Sequence, residues 1–376
     1  MRGGRPTVAE IDLTALVENY RALRTLAKDS EPMAVVKADA YGHGAVAVSR
    51  ALVAEGCRHL GVARISEARE LRAAGVDCRI YLMGGFFPQE AADIVALELT
   101  PFVFDIPAIP AIGQAAHALG RKGFAVHLKI DSGAGRLGVV LDQLDAAIAE
   151  LRRNESLTLE GVCTLLADAG NPTSPITERQ LANFKRALAE LEAAGFRPRF
   201  THVANSAAAV LRTDCHWNMF RPGLALYGLP PVAAVRERVE LKPVMTFKTR
   251  VLQTKRVPAG SGVSYGHTFV TSRPSVIGVL PVGYADGYRR GLQHGAEVLI
   301  RGRRAPVVGA VCMDLTMIDL TDVPEAAAGD DVILWGGAGE QTISVNEVAR
   351  LAQTISYEML CTVGKRVPRI YLGGPS

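Results

Sequence analysis

Residues 33 to 44 read Met33-Ala-Val-Val-Lys-Ala-Asp-Ala-Tyr-Gly-His-Gly44, a short apolar segment that ends in a lysine and is followed by loop residues. A short apolar segment bounded in this way is typical of a buried β-strand. Similar candidates recur along the first part of the chain. The predicted strands span residues 33–37, 59–63, 79–83, 101–104, 125–130, 159–164, 199–203 and 219–226.

Helix-like stretches rich in Ala, Leu, Glu and Arg lie between these strands. They span residues 45–55, 66–74, 89–97, 141–152 and 177–194. The alternation favours a barrel over a doubly wound sheet, because eight parallel strands can close on themselves and leave no exposed edge. The sequence therefore predicts an α/β protein whose residues 12–235 form an N-terminal (β/α)8 TIM-type barrel.

The alternation stops at Gly228-Leu-Pro-Pro231, a turn-forming cluster that suits a linker. Short runs rich in Val, Ile and Thr follow, and they predict a C-terminal mainly-β domain over residues 236–376. The expected strands are residues 244–251, 277–282, 305–311 and 331–334. One late helix is predicted over residues 345–363, with Gly364 just after its end. Residues 1–11 are expected to pack with this second domain.

Composition limits the class of protein. The 376 residues are 48% hydrophobic and 21% charged, which predicts a folded globular chain. The formal net charge of +4 is spread along the sequence and does not favour nucleic-acid binding. The six cysteines show no metal or disulfide spacing, so we expect reduced thiols, no metal site and a cytoplasmic location. No apolar run reaches the length of a membrane span, about 18 residues.

Two predicted strand ends carry cationic side chains, and such ends hold the reactive groups of a (β/α)8 barrel. Lys37 closes the first strand, where partial desolvation would make its amine a nucleophile or Schiff-base former. Gly133-Ala-Gly-Arg-Leu-Gly138 matches the GxGxxG pattern of dinucleotide sites. However, it follows the fifth strand, and a loop that aims Arg136 into the barrel mouth to hold a carboxylate explains it at least as well. Lys129 precedes this loop, and a lone interior lysine is costly unless it is neutralised.

The last two strands end in His202-Val-Ala-Asn-Ser206 and Arg221-Pro-Gly-Leu-Ala-Leu-Tyr-Gly228. The corresponding loops of such barrels often bind phosphate through backbone N–H groups, and Ser206 and Gly223 are placed to contribute. Alternatively, Asn205 and Ser206 only cap a helix. Taken together, a lysine at one strand end, a phosphate cradle and a nearby arginine suit pyridoxal 5′-phosphate.

These motifs, with others in the second half, resemble bacterial alanine racemases in sequence and in order. The matching segments are residues 36–44, 129–138, 202–206, 221–228, 263–266, 282–287 and 312–314. The resemblance implies a fold-type III pyridoxal-phosphate isomerase that interconverts L-alanine and D-alanine and supplies D-alanine for peptidoglycan. It also implies a head-to-tail homodimer in which the C-terminal domain supplies residues to the partner's active site.

The resemblance further implies roles for individual residues. Lys37 would be the Schiff-base lysine and one catalytic base, and Tyr265 of the partner subunit the opposing base. Arg221 would face the pyridine nitrogen, Arg136 the cofactor phenolate and substrate carboxylate, and Lys129 corresponds to a lysine carbamylated in many members. The other cofactor-binding positions are Tyr41, Asn205, Ser206, Gly223, Leu224 and Tyr357, and the substrate-entry side has Tyr284 and Met313.

One departure from the family pattern matters most, at Leu165, and nearby Asp168 and Gly170 also differ from the usual residues. Leu165 stands where the family usually has a histidine that stacks on the cofactor ring. Leucine fills the volume but donates no hydrogen bond. Three alternatives to an alanine racemase stay open: a racemase for another amino acid, a fold-type III decarboxylase, and, motivated by Leu165, a non-catalytic pyridoxal-phosphate carrier.

Overall fold

The computed structural model describes residues 5–27, 29–337 and 341–374. The chain divides into two compact units. Among the described residues, the first unit comprises those within 16–40 and 45–242, and the second comprises those within 5–15, 41–44 and 243–374. The break near residue 242 follows the short helix Ala233–Arg236, whereas the sequence predicted a boundary at 235. Residues 1–4 of the predicted N-terminal segment lie outside the described residues.

The strands and helices are numbered in chain order. The strands are β1 (Val8–Asp12), β2 (Glu31–Val35), β3 (His59–Val62), β4 (Arg79–Leu82), β5 (Leu99–Val103), β6 (Phe124–Asp131), β7 (Val139–Val140), β8 (Leu157–Cys163), β9 (Phe200–His202), β10 (Met219–Phe220), β11 (Met245–Arg250), β12 (Gln253–Val257), β13 (Gly262–Val263), β14 (Phe269–Val270), β15 (Ser275–Leu280), β16 (Glu297–Ile300), β17 (Arg303–Pro306), β18 (Thr316–Asp319), β19 (Asp331–Trp335) and β20 (Arg369–Leu372). The helices are α1 (Leu13–Leu26), α2 (Lys37–Gly42), α3 (Ala45–Ala54), α4 (Ile65–Ala73), α5 (Ala91–Ala96), α6 (Ala108–Ala118), α7 (Leu144–Arg153), α8 (Pro175–Ala193), α9 (Ser206–Leu211), α10 (Ala233–Arg236), α11 (Val345–Leu351) and α12 (Ser356–Cys361). Short 3₁₀ helices span Pro88–Glu90, Leu141–Gln143, Thr213–Cys215, Leu224–Tyr227, Tyr265–His267, Tyr284–Asp286 and Arg290–Gln293.

The first unit is a parallel barrel with the strand order β10-β2-β3-β4-β5-β6-β8-β9. Each neighbouring pair in this order is parallel. A parallel bridge between Asn205 and Arg221, just beyond the ends of β9 and β10, continues the pairing across the remaining seam. The predicted (β/α)8 barrel with a mainly-β C-terminal domain is therefore confirmed.

Large side chains fill the barrel interior. The buried cluster contains Met33, Tyr81, Phe102, Cys163, Phe200 and Met219, one from each of six strands. Alternate residues of a strand point to the same face. On β6 this alternation aligns His127, which stacks on the Phe102 ring, with Lys129 nearer the carboxyl end. Side chains therefore fill the barrel interior as far as Lys129, which lies nearer the carboxyl end.

The described part of the second unit contains three sheets. The largest has the order β17-β16-β19-β11-β1-β20, in which β1 pairs antiparallel with β11 and parallel with β20. A three-stranded sheet has the order β12-β15-β18, and β13 pairs with β14. In the described parts of both units, no helix is both long enough and apolar enough to cross a membrane.

Four predicted elements differ most in extent. The strand expected over residues 305–311 is β17, Arg303–Pro306. The last barrel strand is only Met219–Phe220, because the chain turns into a 3₁₀ helix at Leu224–Tyr227. Strand β2 ends at Val35, so Lys37 begins α2 instead of closing the strand. The single helix predicted over 345–363 is two helices, α11 and α12. The first ends before Gln353, whose φ of 55° lies in the left-handed region that often terminates helices.

Candidate active site

A cavity of about 270 Å³ opens at the carboxyl ends of the barrel strands. Active sites of (β/α)8 barrels lie at this end. Its lining includes Lys37, Phe102, Lys129, Arg136, Leu165 and Arg221. A larger hollow of about 650 Å³ lies at the opposite, amino ends of β4, β5 and β6, away from these residues. The structure therefore brings four of the predicted site residues, Lys37, Lys129, Arg136 and Arg221, together in one cavity.

The backbone that follows Lys37 is left-handed. Residues 38–41 have φ values between 52° and 54°, although none of them is glycine. This conformation costs roughly 1–2 kcal/mol per residue for L-amino acids. Such strain persists only where surrounding contacts impose it, and it is concentrated at functional sites.

Two carboxylates hold this left-handed segment in place. Glu67 Oε1 accepts a 2.6 Å hydrogen bond from the Ala38 N–H, and Asp39 Oδ1 accepts one of 2.7 Å from the Ala45 N–H. The first bond involves Ala38, the neighbour of Lys37, and the second involves Ala45, the first residue of α3. Together they fix the backbone that carries the Lys37 side chain.

Arg221 is held by acceptors around its two terminal nitrogens. Nη1 donates to His202 Nδ1 at 2.6 Å and to the His202 carbonyl at 3.1 Å. Nη2 donates to the carbonyls of Thr164 at 2.7 Å and Val203 at 3.1 Å. A guanidinium has five N–H donors, so these four bonds leave Nε–H as the donor available to a ligand in the cavity that Arg221 lines.

Lys129 is 93% buried, on the face of β6 that lines the cavity. Burial lowers the pKa of this amine, and the nearby charges of Arg136 and Arg221 lower it further. A larger fraction of Lys129 is therefore neutral than for an exposed lysine. The free-energy cost of burying a lysine, expected from the sequence, is therefore lower, because a neutral amine is less costly to bury than a charged one.

The glycine loop after β6 is built around Asp131. Its Oδ1 accepts hydrogen bonds from the N–H groups of residues 133, 134 and 135 at 3.0, 2.8 and 3.2 Å, and Oδ2 accepts one from Arg136 at 3.0 Å. Burial alone would raise the pKa of Asp131, but the four N–H donors lower it below its usual range. Because these donors are already bound, the loop does not cradle a dinucleotide phosphate; it positions Arg136.

The loops after β9 and β10 meet at Ser206. Its Oγ accepts hydrogen bonds from the N–H groups of Gly223 at 2.9 Å and Ala225 at 3.3 Å, so its own proton remains to be donated. Leu224 begins a 3₁₀ helix, and the first N–H groups of a helix have no partner within it. Asn205 Oδ1 caps α9 by accepting from Ala207 and Ala208, as the capping alternative predicted. Capping by Asn205 and an anion cradle at Ser206 are therefore compatible.

Leu165 lines the cavity and its backbone is fixed from outside the barrel. Gln180 Nε2 donates to the Leu165 carbonyl at 2.7 Å, and Gln180 Oε1 accepts from the Ala167 N–H at 2.7 Å. The sequence did not single out Gln180, because a polar residue in the middle of α8 looks like an ordinary helix position. The pair of bonds holds the loop so that an apolar side chain faces the cavity.

Three predicted site residues of the second unit are exposed. The exposed fractions are 76% for Tyr265, 44% for Tyr284 and 52% for Met313. Tyr265 follows Ser264, a non-glycine residue with a φ of 65°, whose Oγ donates to the Ala310 carbonyl at 2.8 Å. Each of these three side chains is therefore accessible to a second molecule.

Two further predicted residues, Tyr41 and Tyr357, lie together in the second unit. Their ring centroids are 5.9 Å apart with an interplanar angle of 45°. Burial raises the pKa of both phenols, so both remain protonated donors at neutral pH.

Known proteins resemble this chain over nearly its whole length. Residues 11–231 match the family model "Alanine racemase, N-terminal domain", and residues 244–371 match "Alanine racemase, C-terminal domain". A relative in Symbiobacterium thermophilum, an alanine racemase, is 45% identical over 99% of this chain and 98% of its own length.

Solved structures of alanine racemases superpose closely on it. The Bacillus anthracis alanine racemase with bound L-Ala-P has a TM-score of 0.92 and 35% identity, covering 99% of this chain and 96% of that one. The Bartonella henselae alanine racemase with covalently bound pyridoxal phosphate has a TM-score of 0.89 and 32% identity, covering 98% of this chain and 100% of that one.

Proposed function

Because the chain belongs to the alanine racemase family, whose members are isomerases, we propose that it uses pyridoxal 5′-phosphate to interconvert L-alanine and D-alanine. The observation that carries the proposal is the cavity at the carboxyl end of the barrel, where Lys37 and Arg221 share one lining. The relative with covalently bound pyridoxal phosphate supports the cofactor, and the relative with bound L-Ala-P supports a small amino-acid substrate.

The donors around the cavity fit this cofactor. Lys37 offers the amine that an aldehyde requires, and Lys129, Arg136 and Arg221 make the lining cationic, with no carboxylate among the described residues that line it. The Ser206 hydroxyl and the Leu224 N–H suit a phosphate. We propose that Asn205 and Gly223 shape this cradle, and that the Tyr41 and Tyr357 phenols also donate to the phosphate. When bound, pyridoxal phosphate supplies the electron sink that stabilises a carbanion at the substrate α-carbon.

The chain supplies the two bases that racemisation needs. A planar carbanion that loses a proton on one face must regain it on the other. We propose that Lys37 Nζ handles the proton on one face and that Tyr265 of the partner subunit handles it on the other. The 76% exposure of Tyr265 in a single chain supports this arrangement, because a side chain donated to a second copy is exposed in the first. Tyr284 and Met313 would line the substrate entry in the same homodimer.

Arg136 and Lys129 would interact with the negative charges of the substrate, the cofactor and a carbamate. We propose that Arg136, fixed by the loop around Asp131, binds the substrate carboxylate and the cofactor phenolate. We also propose that Lys129 is carbamylated. Its neutral amine attacks the carbon of CO₂ and releases one proton, and the resulting anion pairs with the neighbouring guanidinium groups. The lowered pKa of Lys129 supports this reaction, which only the neutral amine undergoes.

A second candidate function follows from Leu165. An apolar side chain at this position of the lining would favour a bulkier, more apolar amino acid than alanine. A racemase for such a substrate is the alternative that this observation favours. Leu165 also keeps the non-catalytic carrier open, because leucine donates no hydrogen bond to a cofactor, whereas a decarboxylase gains no support from it.

The test is a chiral assay over a panel of L-amino acids after reconstitution with pyridoxal phosphate. We expect a yellow protein that racemises alanine fastest. Lys37→Ala should lose the chromophore, and Tyr265→Phe should keep it and lose at least about a hundredfold in turnover, the usual contribution of an acid–base group. A colourless reconstituted wild type, or a Tyr265→Phe variant with full activity, would refute the proposal. We further propose a cytoplasmic role in supplying D-alanine for peptidoglycan, which rescue of a D-alanine auxotroph would test.

A further inference from the structure

A chain of buried polar groups crosses the barrel from the cavity to the opposite end. It begins at Arg221, whose Nη1 lies 2.6 Å from His202 Nδ1. His202 Nε2 lies 2.8 Å from His127 Nδ1, and His127 Nε2 lies 3.6 Å from Glu160 Oε2. Arg79 is paired with both oxygens of Glu160. The proposed reaction assigns no role to His202, His127 or Glu160.

The hydrogen bonds that link Arg221, His202 and His127 can run in only one direction. A guanidinium has no acceptor, so Arg221 must donate and His202 Nδ1 must accept. A neutral His202 then carries its proton on Nε2 and donates it to His127 Nδ1. Consequently the His127 proton is on Nε2, which faces the Glu160 carboxylate. Moving the proton to the other nitrogen of His202 would place two protons between His202 and Arg221. Moving it in His127 would place two protons between the two rings.

Burial keeps both imidazoles neutral and the carboxylate charged. The two rings are fully buried, and this burial lowers the pKa of His127 and lowers that of His202 further. Burial alone would raise the pKa of Glu160, but His127 and Arg79 lower it to about 2. The chain therefore has a cation at the cavity end, a carboxylate at the other end and two neutral rings between them.

The packing leaves His127 little freedom to move. Its ring stacks on Phe102 with centroids 5.6 Å apart and an interplanar angle of 6°. On the other side, Gly161 provides the space: a Cβ at that position would come within 2.4 Å of His127 Cε1. The ring is thus held in the plane in which Nδ1 meets His202.

We propose that His202, His127 and Glu160 are positioning residues that hold Arg221 with its Nε–H presented to the cavity. Arg221 fixes the His202 tautomer and through it the His127 tautomer. The Glu160 carboxylate, 3.6 Å from His127 Nε2 and therefore beyond hydrogen-bond distance, attracts the proton on that nitrogen. The inference rests on the proposed function only where it concerns the cofactor, whose pyridine nitrogen Arg221 would face. The tautomers themselves belong to the protein without cofactor.

The test is ¹⁵N NMR of the histidine side chains in the cofactor-free, full-length protein. We expect both His127 and His202 to be neutral with the proton on Nε2. In Glu160→Gln the negative charge near His127 Nε2 is lost, so we expect the His127 Nε2 signal to shift while both rings keep their proton on Nε2. His127→Phe keeps the stacking on Phe102 but removes the acceptor, so the His202 signals should shift as well.

His59 provides a matched control. Its Nε2 lies 2.6 Å from Glu31 Oε2, and its Nδ1 bonds to the Tyr81 hydroxyl at 3.0 Å, so it is a buried Glu–His pair with no direct hydrogen bond to His127, His202 or Arg221. His59→Phe should leave the His202 tautomer unchanged. After reconstitution, the ¹⁵N signal of the cofactor's ring nitrogen should shift in Glu160→Gln and His127→Phe but not in His59→Phe. Loss of one buried hydrogen bond should weaken cofactor binding about tenfold in His127→Phe.

The outcomes separate the two proposals. His202 signals that are identical in wild type and His127→Phe, or a His127 Nε2 signal that does not move in Glu160→Gln, would overturn the inference. If Glu160→Gln does not fold, His127→Phe decides the question in the same way. A wild type that shows the expected tautomers but takes up no cofactor would support the relay and refute the proposed function.

Discussion

Replacing Asp131 by Asn tests whether its carboxylate organises the loop that presents Arg136. The amide oxygen can keep the three bonds that Oδ1 accepts, but the amide nitrogen would face the Arg136 N–H, which Oδ2 now accepts at 3.0 Å. A hydrogen bond to a charged group contributes about 1.5–3 kcal/mol. Water can replace part of it because the loop is partly exposed, so we expect the free energy of unfolding to fall by about 1–2 kcal/mol.

The assay is thermal unfolding of the cofactor-free protein, in which each kcal/mol corresponds to about 2–4 °C for a unit of this size. The pH dependence has a defined sign. The pKa of Asp131 is lowered in the folded chain, so its stabilisation is present above the unfolded value, about 4, and is lost as the pH falls through the folded value. The difference between wild type and Asp131→Asn should therefore shrink below pH 4. The same substitution at the exposed Asp142 is the control. Equal melting temperatures at pH 7, or a difference that persists unchanged at pH 2, would refute the reasoning.

Two further substitutions address the cavity. Leu165→His introduces the histidine that the family resemblance implies at this position and adds a donor to the lining. We expect about a fivefold rise in turnover of alanine, equivalent to about 1 kcal/mol, and a shifted absorption maximum of the cofactor. The control Leu165→Phe should give neither change. Ser206→Ala leaves the buried Gly223 N–H without its acceptor. We expect the free energy of unfolding to fall by about 1–3 kcal/mol and cofactor binding, measured by titration, to weaken at least tenfold. Unchanged cofactor binding would contradict the proposed phosphate cradle at Ser206.

Local periodicity was sufficient to predict the barrel. Each strand is a short apolar segment, and its burial by helices on one side and the barrel interior on the other is visible in the sequence as a run of hydrophobic residues. The position of Lys37 at the end of the first such segment indicated the reactive end of the barrel. Both inferences depend on residues adjacent in sequence, which is why they needed no coordinates.

The site required contacts between residues far apart in the chain. The sequence showed a glycine loop but not that Asp131 occupies its N–H groups, and it showed a loop after Lys37 but not that residues 38–41 are left-handed. That conformation opposes local preference and exists because Glu67 and other distant groups impose it. Likewise, His127 and His202 are 75 residues apart and become partners only when β6, β8 and β9 align in the barrel. Sequence patterns record which faces are buried, whereas the directions of hydrogen bonds among buried groups are fixed only when the strands pack.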